Sequence, residues 1–317
     1  MVDPRRLALL REVVRHGSFS KAAQALFLTQ PAVSRQIAKL EREVGVPLLE
    51  RTSSGLRLTD AGRVAMDRAD AVSGHLAAAE AELEAIATLS AGRLRLSAFP
   101  TAASTLVLDA IRVFRKRHAG VELSFLEAGT RAGLQRLRAG EVDLALAFRE
   151  RGQPAPAEWD GLDADHLLVD PLYVALAKRH PLAEKQEIRL RELRDERWIQ
   201  AVQAGPTGIT YRACLAAGFE PRIVHLSDHA PITQGLVAAG AGVTLISSLS
   251  IPQARKDIAI RPLKPSGPER DVFAVSLPGT LKPPALTAMV EILRELAPRY
   301  EDSRKSAAVR PSSVAAS

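Results

Sequence analysis

From Gly92 to Ala297, short apolar runs of strand length alternate with amphipathic segments of helix length, and this alternation restricts the fold more than any other feature of the chain. GRLRLSAF, VELSFLEAG and VDLALAF read as strands; PTAASTLVLDAIRVFRKRH and TRAGLQRLRAG between them read as helices. A second set begins near Asp170, with LYVALA, WIQAV, RIVHLS, VTLISSL and DVFAVSL as strands. GITYRACLAAGF and PITQGLVAAGAG are its helices, and PALTAMVEILRELA closes the set. Repeated β-α-β units predict mainly parallel sheets with helices on their faces. Two such sets in succession predict a two-lobed α/β region over 92–300, with lobe 1 at about 92–165 and 263–300 and lobe 2 at about 166–262. Ligands of such sheets sit at the carboxyl ends of strands, beside helix N-termini, so a cleft between the lobes is the expected binding place.

Before Gly92 the periodicity is helical. Leu7, Leu10 and Val14 repeat at helical spacing until Gly17 breaks the segment. GSFSKAAQAL follows, with Ser18 or Ser20 as its cap and Phe19, Ala23 and Leu26 on one face. Thr29 is placed to cap a third helix, and Pro31 sits in its first turn, where a missing N–H costs nothing. Val33, Ile37, Leu40 and Val44 line that helix's buried face, and Gly45 ends it. Two helices joined by a short turn, the second polar on its outer face, predict a helix-turn-helix. PLLERTSSGLRLT then reads as a hairpin around Ser53-Ser54-Gly55, with Arg51 and Arg57 near its tip, and a basic hairpin beside a helix-turn-helix is a wing. Residues 1–59 therefore form a winged helix-turn-helix, whose fold is of the all-α type with a small hairpin.

Residues 60–91 read as one long helix. Ala65, Ala69, Val72, Leu76, Ala79, Leu83 and Ile86 recur in steps of four and three, an unbroken heptad seam. A lone surface helix shows a wider stripe, so the seam points to a close helical partner, most simply the same helix of a second chain. Residues 301–317 are polar, rich in small residues and expected to be a disordered tail.

Charge and composition narrow the function. Residues 1–60 carry ten Lys/Arg against six Asp/Glu, and residues 61–90 two against five, so a basic block precedes an acidic one. With a net charge of +7, an anionic partner is indicated. A single cysteine, Cys214, excludes a disulfide framework within the chain and fits a reducing, cytoplasmic setting. No segment approaches membrane-spanning length, and no leader is visible at the N-terminus. There is no G-x-S-x-G, no P-loop and no clustered carboxylate or Cys–His pair, so no enzyme is expected and no cofactor. His225, Asp228 and His229 lack a further ligand, so HLSDH is not read as a metal site; His229 or Asp228 borders the cleft instead. Cys214, mid-helix without a histidine or second cysteine near it, reads as buried.

The candidate DNA contacts follow from position. Gln30, Ser34 and Arg35 lie near the start of the second helix of the motif, the part that reaches base edges; Gln pairs with adenine, Arg with guanine and Ser with either base or phosphate. Thr29 combines capping with a phosphate contact, Pro31 starts the helix, Lys39 and Arg42 meet the backbone, and Arg51 and Arg57 act through the wing. In the second region, Thr101 stands where a strand turns into a helix. Its hydroxyl and the N–H groups of Ala102 and Ala103 are suited to holding a carboxylate.

GSFSKAAQALFLTQPAVSRQIAKLEREVGVPLLERT…LRLTDAG resembles the N-terminal signature of the LysR-type transcriptional regulators almost position for position. GRLRLSAFPTAASTL…AGEVDLALAF…GLVAAGAGVTLI resembles the family's effector-binding domain more loosely. One departure is Ser247, where the family commonly has a proline after this last motif. The resemblance implies an effector domain similar to periplasmic binding proteins and a homodimer paired through the linker helices, usually built into a homotetramer. It also implies control of double-stranded promoter DNA by a small-molecule effector, which shifts DNA bending and the access of RNA polymerase. By the same resemblance, Thr130, Phe148, Gln203 and Thr207 line the cleft with Thr101 and His229.

Overall fold

The fold is described from a computed structural model covering residues 3–52, 55–87, 92–202, 208–279 and 282–307, with side chains described except at 51, 52, 81–87 and 302–307. Helix α1 (Pro4–His16) starts beneath Asp3, whose carboxylate accepts the Arg5 N–H at 3.0 Å, and ends at Gly17, where φ is +64°. Ser18, rather than Ser20, occupies the cap position of α2 (Phe19–Ala25). That helix closes with a doubly bonded C-terminal turn: the Leu28 N–H donates to the Ala23 carbonyl and the Phe27 N–H to that of Gln24. Such a turn puts Phe27 at φ +54°, a conformation usually left to glycine or asparagine.

Helix α3 (Gln30–Val44) buries Val33, Ile37 and Leu40 against Leu10 and Val13 of α1 and Ala22 and Ala23 of α2. Each of the larger aliphatic groups contributes roughly 1.5–3 kcal/mol by leaving water. The wing, β1 (Leu49–Thr52) and β2 (Gly55–Leu58), pairs antiparallel; its turn residues Ser53 and Ser54 lie outside the described residues. The Glu41 carboxylate accepts the N–H groups of Leu48 and Leu49 at 2.8 and 3.2 Å, which fixes the wing on α3.

Helix α4 (Asp60–Ala87) packs on α1 at one end and on lobe 1 at the other. Gly74 makes the second contact possible, since a Cβ there would lie 2.2 Å from the Arg138 carbonyl oxygen. Gly140 approaches from the other side and would place a Cβ 2.6 Å from that of Ala77. The heptad seam is accordingly divided. Ala65 and Ala69 pack within the chain, whereas Val72, Leu76 and Ala79 are exposed; the side chains of Leu83 and Ile86 lie outside the described residues.

In lobe 1, β3 (Arg93–Ala98) runs into a short α5 (Pro100–Ala102), a π turn at Ala103–Val107 and α6 (Leu108–Arg117). β4 (Glu122–Glu127), α7 (Thr130–Arg138) and β5 (Leu144–Glu150) complete the parallel part. The chain leaves lobe 1 along β6 (Asp163–Ala177). Lobe 2 then adds β7 (Ile188–Arg189), β8 (Arg197–Gln200), α8 (Ile209–Ala216), β9 (Arg222–Leu226), α9 (Ala230–Ala238), β10 (Thr244–Ser247), β11 (Ile258–Arg261) and β12 (Leu263–Lys264). The return is β13 (Glu269–Ser276), followed by α10 (Pro284–Ala307). In lobe 1 the strand order is β4-β3-β5-β13-β6, with β13 antiparallel to both of its neighbours.

β6 pairs with β13 as far as Pro171 and with β10 from Leu172 onward. The change of lobe thus falls inside one continuous strand, beyond the expected 165/166 boundary, and β12 still pairs with β7, past the expected return at 262/263. The chain stays in one strand through the crossing, and the mark it carries is the change from alternating burial before Leu172 to continuous burial from Leu172 on, six residues beyond the expected boundary. The helix α10 also corrects the expected tail: it passes through Pro298 and continues to Ala307. Two contacts beyond the proline hold it, Tyr300 Oη to Asp109 at 2.7 Å and Glu301, which accepts the Val169 N–H at 2.9 Å. Residues 308–317 lie outside the described residues. Among the described residues, no helix is long and apolar enough to cross a membrane.

Candidate nucleic-acid interface and interlobe cleft

With one face of α3 buried, the opposite face presents Gln30, Pro31, Arg35 and Lys39 exposed, with Ser34 half-buried beside them. Thr29 sits at the N-cap position but makes no capping hydrogen bond through its side chain, so the expected dual role reduces to an exposed hydroxyl. Arg35 and Lys39 have no hydrogen-bond or ion-pair partner among the described residues. Arg42 instead donates to the Ala38 carbonyl one turn back, at 3.3 Å. Polar groups of α3 are also used on the side toward α1, at the surface: Arg6 of α1 donates to Gln36 at 3.0 Å and pairs with Glu43 at 2.5 Å. In the wing, Arg57 stands 3.9 Å from Glu50, the residue opposite it in the hairpin, a pairing that the basic count of this stretch conceals. The Arg51 side chain lies outside the described residues.

Between the lobes lies a cavity of about 340 Å³, bordered by Thr101 and Ser104 from lobe 1, His229 and Gln234 from lobe 2, and Gln253 and Arg255 beyond β10. Of the expected cleft residues it brings Thr101 and His229 together. Ala102 and Ala103 face away from it: both are buried in the lobe 1 core among Phe99, Leu106 and Met289, and the Ala103 N–H is donated to the Phe99 carbonyl at 2.9 Å. The helical turn after β3 has one solvent face, and Thr101 and Ser104 occupy it. Thr130 and Phe148 do not border this cavity; the Thr130 hydroxyl accepts the Phe148 N–H at 3.2 Å. Gln203 and Thr207 lie outside the described residues. His229 holds the N-cap position of α9, exposed, and the Asp228 carboxylate accepts the Val202 N–H at 2.9 Å. No group of three or more His, Cys, Asp or Glu among the described residues is arranged to hold a metal.

Beneath Thr101 is a buried charge pair that sequence reading does not find. Arg270 of β13 is ion-paired with Asp170 of β6, at the base of the crossing, and both are almost wholly buried. The Arg270 guanidinium also donates to the Thr101 hydroxyl oxygen at 3.0 Å and stacks 4.2 Å from the ring centre of Phe148. On its other side, Asp170 accepts from the Ser248 hydroxyl at 2.8 Å and the Leu249 N–H at 3.3 Å. Ser248 and Leu249 follow β10, so one hydrogen-bonded chain runs from the cleft residue Thr101 through both crossing strands to the end of β10, where Leu249 packs in the lobe 1 core. The neighbouring Ser247, at the position of the family's proline, ends β10, and its buried hydroxyl has no partner among the described residues. Two further bonds join the lobes: Glu150 with Arg212, whose Nε donates at 2.7 Å, and Gln253 with the Ser104 carbonyl. The Glu150–Arg212 pair also borders a wider, open groove of about 970 Å³ with Arg189, Arg191 and Lys264. Cys214 is buried in the lobe 2 core with Trp198, and burial pushes its thiol up to about 12, far from the range of a reactive thiolate.

Residues 4–63 match the bacterial regulatory helix-turn-helix protein of the lysR family, and residues 87–298 match the LysR substrate binding domain. The HTH-type transcriptional regulator AlsR of Bacillus subtilis (strain 168) is 29% identical over 263 residues, 82% of this chain and 85% of that protein. Among solved structures, full-length CbnR in complex with its target DNA superposes with a TM-score of 0.61 at 22% identity, over 92% of this chain and 99% of the other. The effector binding domain of QuiR in complex with shikimate superposes with a TM-score of 0.56 at 20% identity, over 66% of this chain and 99% of the other.

Proposed function

Given that the chain belongs to the LysR family of DNA-binding transcriptional regulators, we propose that it reads one promoter sequence as a homodimer, or as a tetramer built from homodimers, under the control of a small molecule bound between its lobes. The observation that carries the reading is the outer face of α3, where Arg35 and Lys39 are exposed without a partner among the described residues, next to Gln30 and Ser34. Cations left unspent on a rigid helix are what an anionic duplex requires. Gln30, Ser34 and Arg35 read base edges; Thr29, Lys39 and the wing arginines Arg51 and Arg57 meet the backbone; Pro31 shapes the helix start.

The exposed Val72, Leu76 and Ala79 supply the apolar stripe for a second copy, and lobe edges add Phe125, Leu126, Leu226 and Ile232. Thr101 and His229 take the effector across the cavity, with Thr130 and Phe148 supporting Thr101 through Arg270. The Thr101 oxygen already accepts a bond from Arg270, so its own hydrogen is available for an acceptor on the effector. An effector that bound better to one lobe angle than another would bias the DNA-binding halves of the oligomer, and with them DNA bending and polymerase access.

The test is footprinting on the DNA that flanks the protein's own gene. Protection of an imperfect palindrome, weakened by salt, is expected. Equal, sequence-independent protection of every fragment would defeat the reading of a specific regulator.

A further inference from the structure

Phe27 is 96% exposed, the most exposed large apolar side chain described in the protein. It also occupies a left-handed backbone conformation, φ +54°, the one non-glycine residue among those described to do so. A glycine or asparagine would close the turn after α2 more easily, and polar residues would be easier to expose. The turn's two hydrogen bonds offset the backbone conformation, but a glycine or asparagine would make the same bonds without strain, and nothing within the described residues covers the ring.

The surroundings indicate what does. Phe27 is three residues ahead of Gln30 and continuous with the exposed run Phe27, Leu28, Thr29, Gln30 and Pro31. No carboxylate occurs between Glu12 and Glu41, and although Arg15 is paired with Glu12, Lys21, Arg35 and Lys39 remain, so this stretch is cationic around an apolar point. A protein partner with an acidic face would match the charge but would leave unexplained the position of the ring at the entry of the helix whose outer residues Gln30, Ser34 and Arg35 are suited to bases. A duplex matches both, because the major groove offers phosphates at its rims and the thymine methyl as its apolar feature.

We propose that Phe27 is a sequence-reading residue, which packs its ring on the 5-methyl group of a thymine at the edge of the site contacted by α3. The inference rests on the reading of α3 as the DNA-contacting helix. It adds a hydrophobic determinant to the polar ones.

The experiment starts with selection of duplexes from a random library by the full-length wild-type chain. Each thymine of the selected duplex is then replaced singly by deoxyuridine, which removes only the methyl group. Binding is measured for the wild type, Phe27→Asn and Phe27→Leu. At one position, loss of the methyl should weaken the wild type about tenfold and leave Phe27→Asn unaffected, with Phe27→Leu between them. Phe27→Asn should also melt no lower than the wild type, because asparagine relieves the backbone conformation. If the wild type selects a duplex but no thymine methyl couples to residue 27, the inference is overturned while the DNA reading stands. If the wild type selects nothing, the reading of α3 falls and takes the inference with it.

Discussion

The outer face of α3 and the floor of the interlobe cleft are both charged, but they use charge in opposite ways. On α3, Arg35 and Lys39 stand in water without partners among the described residues. Below the cleft, Arg270 and Asp170 are nearly removed from water and every contact around them is used: the carboxylate takes the guanidinium, the Ser248 hydroxyl and the Leu249 N–H. The difference separates two requirements. A surface that must meet a polyanion keeps its cations uncommitted, and its fold is held by apolar residues on the reverse side. A joint that must keep two lobes in a defined relation commits its charges internally, and its fold depends on them.

The largest effect is therefore expected at the joint. Arg270→Met should destabilise the protein by about 3–5 kcal/mol, because it leaves the Asp170 carboxylate buried without its counter-charge. Arg270→Met combined with Asp170→Asn should recover much of that loss, since no buried charge then remains. Urea denaturation of the three proteins decides it. A single variant as stable as the wild type would break the comparison by showing that the pair is dispensable to the fold.

At α3 the same kind of deletion should spare the fold. Arg35→Ala is expected to change stability by less than about 0.5 kcal/mol, but to cost about 1–3 kcal/mol of binding to the preferred duplex and relax the choice of sequence. Arg57→Ala should mainly reduce the salt dependence of binding, by about one unit of slope. Its proximity to Glu50 makes part of that charge already compensated, so a smaller change in slope would sharpen the contrast between wing and helix. Equal losses of affinity for all sequences in the Arg35 variant would show it to be a backbone contact.

The two regions also differ in how far they could be read from sequence. Val33, Ile37 and Leu40 share one face of a single helix, so the identity of Gln30, Ser34 and Arg35 as the outer face follows from a local period. Thr101 and Arg270 are 169 residues apart and meet only because β13 lies beside β5 and β6. No period within either strand announces that contact. Ala102 and Ala103 are expected in the cleft because N–H groups near a helix start suit a carboxylate; the Ala103 N–H is instead donated to the Phe99 carbonyl and both side chains are buried in the lobe core. Gly74 reads in sequence only as a weak point of α4, at about 1 kcal/mol relative to alanine. Its purpose depends on Arg138 and Gly140 of another element. Along the heptad seam, Ala65 is partly and Ala69 almost wholly covered within the chain, because the first turns of the same apolar stripe lie against the N-terminal domain.

Asp70, on α4 between these two regions, tests the comparison on an intermediate case. It is half-buried and 3.9 Å from Arg11, and neither facing atom makes a hydrogen bond. Burial raises its carboxyl above the ordinary range; Arg11 lowers it by less, and Asp67 and Glu141 add to the rise. A carboxyl raised in the folded state stabilises the fold when protonated, and that contribution is lost as pH rises through the folded value. Asp70→Asn, which cannot ionise, should therefore melt about 2 °C above the wild type at neutral pH. The gap should close as pH falls below about 3, where the wild-type carboxyl is protonated in both states. A paired charge of the Arg270–Asp170 kind predicts the reverse, with the variant melting lower at neutral pH. Thermal melts of both proteins across that range assign Asp70 to the committed charges of the joint or to the tolerated charges of the surface.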